Sequence, residues 1–508
     1  MKILHLLTFA VALALVACPL GAAAQHHSKH AENERSQQAQ QTPPHPPAGQ
    51  GILRLLPADS VTQHTIDTAQ GKLTYTATAG TLAFYGLSGE QTASVFYVAY
   101  IAKNAGKNRP ITFAFNGGPG AASAFLNLGL VGPRILTFGP DNRDPAQAKL
   151  KDNPDTWLRF TDLVLIDPIG TGWSRTRMPD DAKHFWNVRA DADAMAKAIA
   201  LYVDKNNRAG SPKYLLGESY GGLRAAKTAR ALQREQGIAV NGIVMLSPLI
   251  DGWLTFGNDD SALHAALTLP TLTAAEMESK GDFSRAKLAA DEKFAMTDYL
   301  TTLAGSPPQG DKARAFYARV AQISGLPLDA VTKTRGFITD AFVKALRAGK
   351  IVSPYDATFA VDDPFPAEHS AHGPDPVLGN IALTFGGAFA SYARNELGFK
   401  TPMTYELLND DVTRHWDWKG GRNRVNAEED LRVLLSFSPS FRLLIAHGYS
   451  DMVTPFAMTR YVLDHLPPMS PPGRIALKLY PGGHMVYLNP ASRVAFSKDA
   501  AAFYRGGE

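Results

Sequence analysis

The chain has 508 residues, 45% of them hydrophobic and 19% charged, enough apolar material for a large core and incompatible with global disorder. Lys and Arg number 51 against 47 Asp and Glu. An excess that slight gives a nucleic-acid partner no electrostatic support, and no long basic stripe or RNA-binding motif is present. The single cysteine, Cys18, excludes an intramolecular disulfide and makes a cysteine-based metal cluster or a catalytic thiol implausible.

In chain order, Met1-Lys2 is followed by an apolar run to Cys18 and small residues to Ala24. That is the pattern of a signal peptide over residues 1–24, with an exit at Ala22–Ala24. Two alternatives stand beside it. One is an uncleaved anchor. The other treats Leu15-Val16-Ala17-Cys18 as resembling a bacterial lipobox, with Cys18 lipidated, although Pro19 fits that poorly. The expectation is an exported protein, periplasmic or secreted, with a lipid anchor through Cys18 as the variant reading. Residues 25–50 are rich in Gln, His and Pro without apolar periodicity, and read as a disordered linker. His26, His27, His30 and His45 lie in it, but no structure fixes a ligand geometry for a metal.

From about residue 70 the composition turns strand-like in KLTYTATAG and SVFYVAYIA. Short, fully apolar runs follow: ITFAF at 111–115, LVLID at 163–167, YLLG at 214–217, GIVML at 242–246, RLLIA at 442–446 and ALKLY at 476–480. Runs of this kind fit strands buried on both faces. Helical stretches such as ADADAMAKAIALYVD and LRAAKTARALQRE separate several of them, which predicts an α/β sheet. Between 251 and 400 the rhythm changes to helical segments, including Phe316, Val320 and Ile323 at i, i+4, i+7, and to Pro-rich loops. The expected organisation is a core over 51–250 and 401–508, interrupted by a mainly helical cap over 251–400.

The chemistry concentrates at Gly217-Glu218-Ser219-Tyr220-Gly221, a G-x-S-x-G between a strand-like run and a helical one. That context is what a nucleophile elbow requires, because the tight turn lifts the serine hydroxyl above the sheet edge. The bland alternative is a turn that merely joins two elements. Serine needs a base held by an acid, and on this architecture the order along the chain is Ser, acid, His. His484 lies in a glycine turn just past an apolar run, while His465 lies in a helical stretch and His447 just before Asp451. Asp451 follows a strand, and Asp464 is the weaker acid. Backbone donors for an oxyanion come from Tyr220 and from the loop Asn116-Gly117-Gly118-Pro119-Gly120, which follows ITFAF. A phosphate-cradling role for that loop lacks the Gly-Lys-Ser/Thr that should follow.

These blocks resemble the serine carboxypeptidases, peptidase family S10, in an exported bacterial form. NGGPG at 116–120, DPIGTGWS at 167–174, GESYGG at 217–222, GYSD at 448–451 and GGHMV at 482–486 stand in that family's order. The resemblance spans about 70–250 and 400–505. It implies the α/β-hydrolase fold, a mostly parallel central sheet flanked by helices with an inserted cap, and no cofactor or metal. By position it implies Ser219 as nucleophile, Asp451 as orienting acid, His484 as general base, and Gly118 and Tyr220 as oxyanion donors. Asn116, Gly117 and Glu218 would bind substrate, Asn116 and Glu218 at its C-terminal carboxylate. The departures are Ala114 for a Trp, Ala121 for a Cys, Leu130 for a second glutamate and Tyr487 for a Pro. In the family two glutamates share a proton on the substrate carboxylate, a device that needs both partners, and Arg134 is the conceivable substitute. The expected function is release of C-terminal amino acids from peptides through an acyl-enzyme on Ser219. An esterase or acyltransferase with the same triad is the first alternative, and a non-catalytic exported binding protein the second. The substrate is accordingly a peptide or a small-molecule ester.

Overall fold

Short apolar runs build the middle of the molecule. The computed structural model describes residues 51–506 apart from 104, 105, 107, 259, 339–341 and 369. The expected leader, linker, Cys18 and linker histidines lie outside the described residues. The chain opens with an antiparallel meander: β1 (Ser60–Thr68), β2 (Gly71–Tyr85) and β3 (Gln91–Ala102). Next come β4 (Ile111–Phe115), a side hairpin of β5 (Arg134–Phe138) and β6 (Ala148–Asp152), β7 (Asp162–Ile166) and the short β8 (Arg175–Thr176). Then follow β9 (Lys213–Glu218), β10 (Gly242–Leu246), a hairpin of β11 (Lys350–Ser353) and β12 (Asp356–Asp362), β13 (Arg442–Gly448) and β14 (Ile475–Tyr480). The central sheet has ten strands in the order β1-β2-β3-β7-β4-β9-β10-β13-β14, with β8 beside β3. All neighbours from β7 to β14 are parallel.

The six apolar runs of the sequence are these six parallel strands, and burial explains the composition of all but the half-exposed edge strand β14. Along β10, Ile243 and Met245 pack on one face with Phe113, Leu215 and Ile445, while Val244 and Leu246 pack on the other with Ala114, Leu216 and Leu444. A strand covered on both sides has no solvated face on which polar residues could alternate. The helices Val188–Lys205 and Tyr220–Glu235 cover the first face, and Pro490–Tyr504 contributes Phe496 and Phe503 to the second. Strand β4 lies between β7 and β9, where the order along the sheet reverses. The crevice at the carboxyl ends of the strands beside such a reversal is where this architecture places ligands.

Residues 251–400 hold a third hydrophobic cluster built on the helices Ala262–Lys280 and Gly310–Ser324, with Leu269, Leu272, Tyr299, Val320 and Ile323 buried. On the second of these helices the seam runs through Tyr317, Val320 and Ile323, with Phe316 packed at its margin. Two features depart from a purely helical insertion. The β11–β12 hairpin belongs to it, and the helical segments Val377–Ala382 and Thr384–Asn395 pack into the sheet's own core through Ile381, Phe385, Phe389 and Tyr392. By packing, the separate layer therefore ends before residue 377. Among the described residues no helix is long and apolar enough to cross a membrane.

Candidate active site

Strand β9 delivers the central serine. It ends at Glu218, the helix Tyr220–Glu235 begins at once, and Ser219 between them takes φ 61° and ψ −128°. A non-glycine residue at that φ costs about 1–3 kcal/mol and persists where its surroundings hold it. Here its N–H donates to Leu246 O (2.9 Å), and its carbonyl accepts from Gly222 (2.9 Å) and Leu249 (3.0 Å). The motif's glycines are required by contact, because a Cβ on Gly217 would lie 1.9 Å from the carbonyl oxygen of Gly221. Tyr220 opens the helix, so its N–H is one of the unpaired donors of a helix start. Neither it nor the Gly118 N–H finds an acceptor among the described residues, and both residues line the cleft beside Ser219.

The glycine loop after β4 is tied to the elbow by a buried arginine. Arg224, 1% exposed, pairs with Asp191 at 2.7 Å and donates to the Asn116 carbonyl. Its guanidinium lies 4.9 Å from the centre of the Tyr220 ring. Asn116 Oδ1 accepts from Leu126 N (3.1 Å), which turns Nδ2 toward Glu218. Arg224 and Asp191 were invisible to motif reading. The available signal was one charge on the otherwise small and apolar face of each of two neighbouring helices.

The loops after β13 and β14 bring Asp451 and His484 together, with His484 Nδ1 2.9 Å from Asp451 Oδ2. Asp451 is fully buried. Its Oδ1 accepts from Val453 N (2.9 Å) and Thr454 N (3.0 Å), and its Oδ2 accepts from His484 and, at 2.8 Å, from the Thr454 hydroxyl. That hydroxyl shares its proton with Ser247 O at 3.0 Å. Burial opposes ionisation, but the charge and hydrogen bond of His484, with His447 and the Thr454 N–H, hold Asp451 below the usual carboxylate range. Burial likewise pulls His484 down, and the Asp451 carboxylate overcomes it, leaving the imidazole above the ordinary histidine value. With Nδ1–H committed to Asp451, Nε2 carries the free lone pair. Neither Nε2 nor Ser219 Oγ has a hydrogen-bond partner among the described residues, and both residues face one cavity of about 640 Å³.

The hairpin turn of the insertion reaches into this corner. His484 N donates to Tyr355 O (2.6 Å), Met452 N to Pro354 O (3.0 Å) and Ser450 Oγ to Asp356 Oδ1 (2.8 Å). The Tyr355 ring meets the His484 ring edge-on at 5.3 Å. The insertion therefore fixes the backbone of both loops that carry the acid and the imidazole. Tyr355 was not legible from sequence, because a four-residue strand among helices carries too little periodicity. His465 and Asp464 lie exposed at the end of the helix Phe456–Asp464. His447 is fully buried, with Nε2 2.8 Å from Thr459 Oγ1 and Nδ1 4.0 Å from Asp451 Oδ2. Burial pushes it down to about 4, so it is neutral.

Glu218 forms the other wall. It is 3% exposed, accepts from Asn116 Nδ2 (2.6 Å), and has both oxygens 3.1 Å from Tyr487 Oη. Burial pushes it up to about 7 against the lowering effects of His484, Tyr487 and Asn116. Arg134 plays no part there. It pairs with Asp152 and, at 3.3 Å, with Glu396, away from the cleft.

A family model described as serine carboxypeptidase matches residues 72–295, which include the glycine loop and the elbow but neither Asp451 nor His484. Among curated relatives, a pheromone-processing carboxypeptidase of Yarrowia lipolytica is 27% identical over 153 residues, 30% of this chain and 23% of that protein. A probable serine carboxypeptidase of Arthroderma benhamiae is 25% identical over 157 residues, 28% of this chain and 27% of that protein. The chain thus spans about a quarter of the length of these relatives. Among solved structures, a prohormone-processing carboxypeptidase from Saccharomyces cerevisiae superposes with a TM-score of 0.52 at 14% identity, over 85% of this chain and 91% of that one. The fold is that of the α/β-hydrolases, and over residues 72–295 the chain is similar to the serine carboxypeptidase family.

Proposed function

We propose that this chain is a serine carboxypeptidase, exported by its leader, that removes C-terminal amino acids from peptides. The observation that carries the reading is one cleft in which Ser219 on its strained elbow, the His484–Asp451 pair, the two unpaired N–H groups and a neutral carboxyl meet. Ser219 Oγ attacks the carbonyl of the last peptide bond while His484 Nε2 takes its proton. Asp451 stays ionised and stabilises the imidazolium. The oxyanion collects hydrogen bonds from Gly118 and Tyr220, in a site where such donors need no reorganisation. His484 then returns the proton to the departing amine, and water releases the acyl group from Ser219 by the same route.

Specificity for the chain end follows from Glu218 and Asn116. A protonated carboxyl and an amide are both donors, and a carboxylate on the substrate is the complementary acceptor. The test is a mass-spectrometric time course on peptides presented as free acids and as C-terminal amides. Stepwise shortening of the acids alone is expected, with Ser219→Ala lowering the rate by about a millionfold. Equal cleavage of acids and amides, or cleavage of esters only, would favour the second reading, an esterase or acyltransferase, which the apolar Leu130 at the usual second glutamate supports.

A further inference from the structure

Of two departures that are far apart in sequence, one reaches the Glu218 carboxyl and the other brings none. Residue 130 brings Leu, fully buried, from the helical turn Asn127–Val131, and residue 487 brings a phenol from the turn Val486–Leu488. The Tyr487 ring lies so close over Gly129 that a Cβ there would sit 2.5 Å from a ring carbon. Its hydroxyl ends 3.1 Å from both oxygens of Glu218, and Tyr487 itself, 2% exposed, does not line the cleft. No Lys or Arg pairs with Glu218 among the described residues.

We propose that Tyr487 is the positioning partner of Glu218, a phenol in place of a second carboxyl, and that by holding both Glu218 oxygens from behind it keeps the carboxyl turned toward the substrate's terminal carboxylate. The inference rests on the carboxypeptidase reading and extends it. A pair of carboxyls works by sharing one proton, and so fails when that proton is lost from the pair. A phenol has one proton to donate throughout the working range, because burial and the Glu218 charge raise Tyr487 well above an ordinary tyrosine. Asn116 Nδ2 and Tyr487 Oη both donate to Glu218 from the protein side. The carboxyl proton is then left for the cleft, where an anionic chain end accepts it.

The groups facing Glu218 set the sign of its pH dependence. Asn116 comes from the loop after β4, Tyr487 from its turn, His484 and Asp451 from the loops after β14 and β13, and Tyr355 from the β11–β12 hairpin. Glu218 titrates at about 7. Below that it is a neutral donor, and above it the ionised carboxyl repels a substrate carboxylate. Removing the Tyr487 hydroxyl withdraws a hydrogen bond that favours the ionised form, so the transition moves up in pH.

The experiment measures KM and kcat for one peptide as free acid and as amide from about pH 5 to pH 9, in the wild type, Tyr487→Phe and Glu218→Gln. In the wild type the free-acid KM should climb above about pH 7 and the amide KM stay flat in that range. Tyr487→Phe should raise the free-acid KM about tenfold at low pH, with a much smaller change in kcat, and shift the climb upward. In Glu218→Gln the climb should vanish. A wild type that does not distinguish acid from amide overturns the carboxypeptidase reading and this inference with it. A wild type that does distinguish them, with Tyr487→Phe superimposed on its KM profile, overturns the inference alone. Should Tyr487→Phe fold poorly, an infrared titration of the wild type decides. A protonated-carboxyl band absent from Glu218→Gln must disappear near pH 7, and its disappearance near the ordinary glutamate value sinks the proposal.

Discussion

Two buried carboxyls, Asp451 and Glu218, have their proton affinities shifted in opposite directions. Asp451 lies in a loop, where successive N–H groups of Val453 and Thr454 converge on one oxygen and His484 and Thr454 serve the other. Glu218 is the last residue of a strand, where the neighbouring N–H groups are spent on the sheet, so a phenol and an amide are all that reach it. The first stays ionised below the usual range and the second is pushed up to about 7. The charge and hydrogen bond of His484, with the additional N–H donors, separate them; depth does not. The proposed reaction needs one carboxylate to steady an imidazolium and one protonated carboxyl to donate, and the two kinds of chain ending on the sheet would supply both.

The sharpest way to break the contrast is to neutralise the ionised member. Asp451→Asn keeps the shape but presents a donor where His484 Nδ1–H needs an acceptor, which favours the wrong tautomer. A loss of about a thousand- to ten-thousandfold in kcat with little change in KM is expected, read by steady-state kinetics on an ester or peptide. A variant retaining a tenth of wild-type kcat would mean that Asp451 does not orient the base.

A smaller and purely thermodynamic test acts on the neutral member. The folded-state value of Glu218, about 7, is above its ordinary 4.5. The native state therefore holds a proton that the unfolded chain gives up, and the stability associated with Glu218 is complete below pH 4.5 and is lost as pH rises through 7. The shift corresponds to about 3 kcal/mol. Urea unfolding of Glu218→Gln against wild type should show the difference growing by about that amount across this range. Asp167 and Glu278, also raised by burial, to about 6 and about 8, are common to both proteins and cancel. A difference that stays constant with pH would mean that Glu218 is ionised in the native state.

The contrast also explains what could be read without coordinates. Five of the six parallel strands were legible because burial on both faces leaves no polar alternation, and the half-exposed edge strand β14 was legible by its apolar run alone; the elbow and glycine loop were legible because a tight turn demands glycines at fixed offsets. Asp451 and His484 followed from their places after apolar runs. The surroundings that set their protonation were not legible. Thr454, Ser247 and Tyr355 act on the triad corner from three different loops, and Tyr487 reaches Glu218 from 269 positions away. Short motifs record what the local backbone requires, whereas a partner supplied by another element leaves no spacing to detect. Leu130 and Tyr487 were each visible as departures from a family pattern. The proposed pairing of Tyr487 with Glu218 depends on the turn Val486–Leu488 lying over Gly129.

The smallest effect should come from the histidine nearest the ionised carboxyl that is not its partner. His447 Nδ1 points at Asp451 Oδ2 from 4.0 Å and is buried without a hydrogen bond. By proximity it could pass for a second orienting group. A carboxylate has about four accepting positions, and those of Asp451 are taken by Val453 N, Thr454 N, the Thr454 hydroxyl and His484. A neutral imidazole at 4.0 Å adds a weak dipole to a carboxylate that is already saturated. His447→Gln, which can still meet Thr459, should therefore lower kcat by about threefold or less while costing about 1–2 kcal/mol of stability through poorer packing in a fully buried position. If kcat instead falls as far as in Asp451→Asn, the four donors do not suffice to hold Asp451 ionised, and its state depends on a second imidazole.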